Sequence, residues 1–228
     1  FISCQNSSTE YFQNGMVVSA REEASQAGIE ILKQGGNAFD AMIATDLALA
    51  VTYPSAGNLG GGGFMVYSLA NDSIGTLDYR EKAPLAASKN MFLDENGNEI
   101  KGLSTVGSLA IGVPGTVAGL FATYERFGSL PLETIFKPAI NLAEKGFIIT
   151  KKQANSLNSY RKQIILLNDS IPEFEHEFDE GDLFVNKPLA KTLKLLLKKG
   201  RDEFYHGSIA DQIVDYLEKT KGIIKKID

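Results

Sequence analysis

The chain has 228 residues, of which 43% are hydrophobic and 22% charged, and its formal net charge is −5. That length accommodates one large domain or two small ones, the composition is that of a globular chain, and the acidic balance argues against the basic face of a nucleic-acid binder. No run approaches the roughly 18 apolar residues that a membrane-spanning helix needs, and the Lys-rich runs at 193–199 and 219–226 read as solvated helix faces. With Cys4 as the single cysteine, an intramolecular disulfide and a cysteine-based metal site are both excluded. His176 and His206 are far apart, and the residues from His176 to Glu180 do not form the His-Glu-x-x-His zinc pattern. The expectation is a protein without metal or cofactor.

In chain order, Phe1-Ile2-Ser3-Cys4 is similar to the end of a bacterial lipoprotein signal, with the polar run 5–10 as a tether. On that reading residues 1–14 are the end of a signal plus a tether, the protein is exported, and its location is periplasmic or lipid-anchored through Cys4. The alternative is an N-terminal arm with an incidental cysteine. Residues 15–19 (GMVVS) predict a short apolar strand, and Ser19 with Glu22 fits a capping box for a first helix that ends at Gly35-Gly36. Asn37 and Asp40 open a second helix that is apolar on most faces and therefore buried, with Pro54 as its stop. Residues 64–70 and 74–79 predict a hairpin around Asn71-Asp72-Ser73. Helices follow from about Pro114 to Phe127, over 132–145 and over 152–162. An acidic irregular excursion occupies 168–182, and two last helices are opened by Asn186 and Ser208.

The segment between the second helix and the hairpin, Asn58-Leu59-Gly60-Gly61-Gly62-Gly63-Phe64-Met65, is the most informative. Apolar residues flank it, unlike a flexible linker. A buried glycine run of this kind lets one backbone approach another, or a ligand, where a Cβ would clash. Gly60 to Gly63 are read as shaping the core. It is not a phosphate-binding P-loop, because no Gly-Lys-Ser/Thr closes it, and Met65 and Val66 break Gly-x-Gly-x-x-Gly. Ser159-Tyr160-Arg161-Lys162 matches Ser-x-x-Lys without its companion motifs, and no Gly-x-Ser-x-Gly elbow supports a Ser-His-Asp triad. Arg80 closes the predicted hairpin in Asp78-Tyr79-Arg80-Glu81-Lys82-Ala83-Pro84. A permanently charged, forked donor at a strand end is suited to hold a carboxylate.

Taken together these segments resemble the γ-glutamyltransferase family. The resemblance is carried by the run from Gly28 to Ala41 (GIEILKQGGNAFDA), by Pro54 to Met65 with its glycines, and by Asp78 to Pro84. Gly112-Val113-Pro114-Gly115-Thr116-Val117-Ala118-Gly119 and Asp202-Glu203-Phe204-Tyr205-His206-Gly207 add to it. It runs over residues 15–228, as the N-terminal part of the family's large subunit. What it implies is an α/β N-terminal-nucleophile hydrolase, an αββα four-layer sandwich that is incomplete here. Such a protein is made as one chain and cut before an internal Thr into a large and a small catalytic subunit. That Thr then attacks a γ-glutamyl amide such as glutathione, with its own amine as base, and passes the glutamyl group to water, an amino acid or a peptide. The resemblance assigns Arg80 to the α-carboxylate of the γ-glutamyl donor, with Asp78 and Glu81 as structural partners and Tyr79 as packing. The family's Thr-Thr-His segment is absent, and Thr150, Thr192 and Thr220 lack its context, so no catalytic residue is assigned in this chain. Other readings stay open: a cephalosporin or glutaryl acylase, a poly-γ-glutamate-processing enzyme, or a non-catalytic fragment.

Overall fold

The structure, a computed structural model, describes residues 13–168 and 171–228. Cys4 and most of the 1–14 tether lie outside the described residues. Helix α1 (Glu22–Lys33) begins after Arg21, which makes no side-chain cap bond. The expected capping box at Ser19 does not form, because the Ser19 hydroxyl donates instead to the Arg21 carbonyl (2.7 Å) and meets Ser25. Residues 15–19 form no ladder either: Met16 and Val18 are exposed while Val17 packs against the core, so the alternation of a strand is present without a partner.

Helix α2 (Ala38–Thr52) sits at the centre, packed against α1, α3 (Thr116–Phe127) and α4 (Leu132–Lys145). Its apolar residues fall on most faces, and Ile43, Leu47, Ala48 and Val51 are all closed off from solvent. Its start is fixed as expected. The Asn37 side chain accepts from Phe39 N (2.8 Å) and Asp40 N (3.0 Å), and Asp40 accepts back from Asn37 N (3.0 Å). Both residues also reach across the fold. Asn37 Nδ2 donates to the Phe127 carbonyl (2.7 Å), and Asp40 accepts from Ser129 N (3.0 Å) and from its hydroxyl. One cap therefore locks the start of α2 to the turn between α3 and α4.

The hairpin pairs β1 (Phe64–Ser68) with β2 (Ile74–Asp78), Phe64 opposite Asp78 and Ser68 opposite Ile74. It is shorter than the sequence suggests, since the Leu69 amide donates to the Ser73 carbonyl (2.8 Å) and Asp72 takes φ 63° to close the turn. Met65, Tyr67 and Leu77 face the helices, and Tyr67 meets Phe39 and Phe127 edge-on. Phe64, Val66 and Ile74 face outward.

The C-terminal half is helical, with a second, two-residue sheet of β3 (Phe147–Ile148) and β4 (Leu183–Phe184). Helix α5 (Lys151–Leu167) runs five residues beyond the expected end. It is capped by Thr150 and tied to α2 by Gln153 Nε2, which donates to the Thr52 carbonyl (3.1 Å). The segment expected to be a surface excursion is anchored: Phe178 is buried, and its amide and carbonyl both bind Asn158. Helix α6 (Lys187–Lys199) starts at Asn186 as expected. The short α7 (Arg201–Tyr205) had no counterpart in the sequence reading, and α8 (Ser208–Lys219) is not capped by Ser208. The Ser208 hydroxyl and amide instead bind the buried Glu203, which also takes Lys199 Nζ (3.0 Å). The Ser208 hydroxyl first, then Lys199, hold the Glu203 carboxyl below its ordinary range.

Candidate active site around Arg80

Three segments distant in sequence meet at Arg80. The hairpin pairing continues one step past β2: Tyr79 N donates to the Gly63 carbonyl (3.0 Å) and Gly63 N to the Tyr79 carbonyl (3.3 Å). The Gly61 carbonyl accepts from Gly115 N (2.7 Å) and Thr116 N (2.9 Å), and Lys82 and Val113 exchange both backbone bonds. This leaves the 79–81 main chain wrapped by glycines. A Cβ at Gly115 would lie 1.9 Å from the Tyr79 carbonyl oxygen, and one at Gly62 would lie 2.6 Å from Glu81 N. A Cβ at Gly119 would strike the Tyr79 ring at 2.3 Å. The contacts of Gly62 and Gly115 are backbone on backbone, so no side chain can yield there.

The glycine run thus does its work by close approach, as the sequence suggests, but not as buried core. Gly60 is exposed with open space around it, and Gly61 to Gly63 are only half-buried. They form a cradle at the surface, and its product is the placement of Arg80.

Arg80 is exposed and its amide donates to Asp78 Oδ1 (3.0 Å), so Asp78 fixes the local backbone. Among the described residues no carboxylate pairs with the Arg80 guanidinium. It lines a cavity of about 650 Å³ together with Asp78, Glu81, Lys82, Arg201, Tyr205 and Asp228. That volume is in the usual range for a small-molecule site. Tyr79 packs its ring against Gly63 and Gly119. Burial first, then the charge of Asp46, push its hydroxyl above the ordinary tyrosine range.

Two groups beside this site escaped the sequence reading. Asp46 stands in the middle of α2 and lines a second cavity, of about 490 Å³, with residues 15–19, Met42, Leu49 and Tyr79. Burial pushes its carboxyl up to about 6. Its signal was visible as an acid in an otherwise apolar helix. Tyr205 is the other. Its hydroxyl donates to the Pro114 carbonyl (3.0 Å) and accepts from Ala118 N (3.0 Å), clamping α7 to the start of α3. Burial raises its pKa as well.

The threonines set aside as nucleophiles all serve helices. Thr150 caps α5, the Thr192 hydroxyl donates to the Pro188 carbonyl (3.2 Å) within α6, and that of Thr220 to the Tyr216 carbonyl (2.8 Å) at the end of α8. None lines the cavity beside Arg80. Among the described residues no cluster of His, Cys, Asp and Glu could hold a metal ion.

The architecture is that of the γ-glutamyltranspeptidases and the acylases that share their fold. It superposes on the crystal structure of Helicobacter pylori γ-glutamyltranspeptidase with a TM-score of 0.92 at 45% identity, covering 96% of this chain and 64% of that one. With a cephalosporin acylase from Bacillus halodurans the TM-score is 0.79 at 24% identity, over 99% of this chain and 45% of the other, a likeness of fold alone. Residues 24–228 match the family described as Gamma-glutamyltranspeptidase, and the chain belongs to it. A glutathione hydrolase proenzyme of Pseudomonas sp. (strain A14) is 46% identical over 225 residues, which are 95% of this chain and 38% of the relative. The chain therefore spans less than half the length of these curated relatives.

Proposed function

We propose that this chain is the N-terminal part of a precursor whose mature form moves the γ-glutamyl group of glutathione, or of a related amide, to water or to an amino acid or peptide. The observation that carries this reading is the Arg80 guanidinium, held at the rim of a cavity by the glycine cradle and left without a carboxylate partner among the described residues. Arg80 binds the donor's α-carboxylate through two parallel N–H···O bonds, which sets the orientation of the γ-amide as well as its affinity. The cradle fixes the backbone that carries this side chain at the cavity. The nucleophile is a Thr outside this chain, freed when the precursor is cut into two subunits. The small subunit so formed completes the site, and the Thr amine takes the hydroxyl proton as the acyl-enzyme forms. Membership of the family, and the name glutathione hydrolase proenzyme borne by relatives of 42–46% identity, support this reading.

The test is release of anilide from a γ-glutamyl anilide by the full-length protein, with the 228-residue piece as control. Turnover by the full-length protein alone is the expected result. A full-length protein that matures into two subunits yet leaves the anilide intact would instead point to an acylase with another donor.

A further inference from the structure

The cavity beside Arg80 holds a second guanidinium, that of Arg201. Its carbon stands 4.7 Å from the centre of the Tyr205 ring, a cation–π contact that parks the side chain on one face of a tyrosine. Tyr205 is itself immobilised, because its hydroxyl is bonded to Pro114 and Ala118. Those residues flank Gly115, which touches the Tyr79 carbonyl. Arg80 and Arg201 are therefore mounted on one frame, on two walls of one cavity.

Three acids share this cavity, Asp78, Glu81 and Asp228, and among the described residues none of them forms a salt bridge with Arg80 or Arg201. Asp78 accepts from the Arg80 amide (3.0 Å), and the two oxygens of Asp228 accept from Leu85 N (2.6 Å) and Lys225 N (2.7 Å). Arg201 meets one acid, its neighbour Asp202, in a single contact of 3.3 Å with a carboxylate that is 79% exposed. A solvated pair of that kind is worth little and gives way readily to a better ligand. The cavity thus presents two forked cations, and a ligand with one carboxylate satisfies only one of them.

We propose that Arg201 recognises a second carboxylate, on the leaving-amine side of the γ-glutamyl donor, and so makes the enzyme selective for dianionic donors. The inference rests on Arg80 holding the α-carboxylate. A γ-glutamyl peptide carries an anionic group at each end, whereas a γ-glutamyl anilide or a peptide amide carries only the first. Arg201 is a specificity residue with no part in the acyl transfer itself.

The experiment compares glutathione with its C-terminal amide as donors for the full-length protein, wild type and Arg201→Gln. Wild type should prefer the acid by about tenfold in kcat/KM, as befits one charge-assisted pair at a wet site. Arg201→Gln should bring the acid-to-amide ratio close to one, and Arg201→Lys, which keeps the charge without the fork, should retain part of the preference. A ratio near one in wild type, or a ratio that Arg201→Gln leaves unchanged, overturns the proposal, including the case in which both donors suffer equally through damage to the fold. Failure of wild type on a simple γ-glutamyl anilide would overturn the donor reading first, whereas anilide turnover with an unmoved ratio would overturn the role of Arg201 alone.

Discussion

The region around α2 and the region around the hairpin solve opposite problems. In the first, apolar helices bury one another, and the single cap of Asn37 and Asp40 holds three of them in register. In the second, glycines press main chain on main chain to present one charged side chain, while Phe64 (65% exposed), Val66 (76%) and Ile74 (77%) turn outward. The first buries its apolar residues among the described helices. The second displays an apolar face, which in the αββα arrangement implied by the family faces a further sheet. Stability is concentrated where side chains interlock, and function where side chains are left out.

The contrast can be broken first on the stable side. Asp40 is fully buried and its carboxylate accepts three hydrogen bonds, so Asp40→Ala should destabilise the full-length protein by about 4 kcal/mol, through the lost cap and the donors left unpaired. Chemical denaturation would show this as a lower midpoint, and a change below about 1 kcal/mol would mean that the cap is not the lock described. Gly115→Ala comes next. Its Cβ cannot be housed 1.9 Å from the Tyr79 carbonyl oxygen, so the cradle must shift, at a cost of about 3 kcal/mol and with weaker donor binding. If KM for a γ-glutamyl donor is untouched while stability falls, the cradle does not position Arg80.

Asp46 lies between the two regions and gives a pH test. Its folded-state pKa is raised from 3.8 to about 6 by burial, so its contribution to stability is full below about pH 4 and is lost as pH rises through 6. The other titratable side chain lining its cavity is Tyr79, which stays neutral in this range. Asp46→Asn should therefore leave Tm unchanged at pH 4 and raise stability by about 3 kcal/mol at pH 8. A variant that is less stable than wild type at pH 8 would show that the carboxylate is paired in the complete protein. The smallest effect belongs to the exposed face. Val66→Thr should cost less than about 0.5 kcal/mol in the 228-residue piece but about 1–2 kcal/mol in the full-length protein. Equal costs in the two would mean that nothing covers the hairpin.

What was legible in the sequence divides along the same line. Local signals that carry their own physics were read well: Asn37 and Asp40, the stop at Gly35, and the hairpin around Asp72. The convergence of Gly62, Gly63, Gly115 and Gly119 on the 79–81 segment could not be read from spacing, because it joins three stretches of chain that only the fold brings together. Ser19 and Ser208 misled for one reason: a hydroxyl that suits a helix cap also suits any nearby acceptor, and here the Arg21 carbonyl and Glu203 claim them. Residues 15–19 carry a strand's alternation, but a strand is a property of pairs, and no partner stands beside it among the described residues. Arg80 could be singled out from its motif, whereas Arg201 could not, because α7 is too short to show a periodicity and its place on the cavity wall is set by the Tyr205 clamp.

The most direct measurement is the Michaelis constant of the full-length protein for a γ-glutamyl anilide, wild type against Arg80→Lys. A point charge in place of the fork should raise KM by about tenfold or more, because it cannot hold the α-carboxylate through two bonds. An unchanged KM would show that the carboxylate is held elsewhere and that the glycine cradle was built for something other than Arg80.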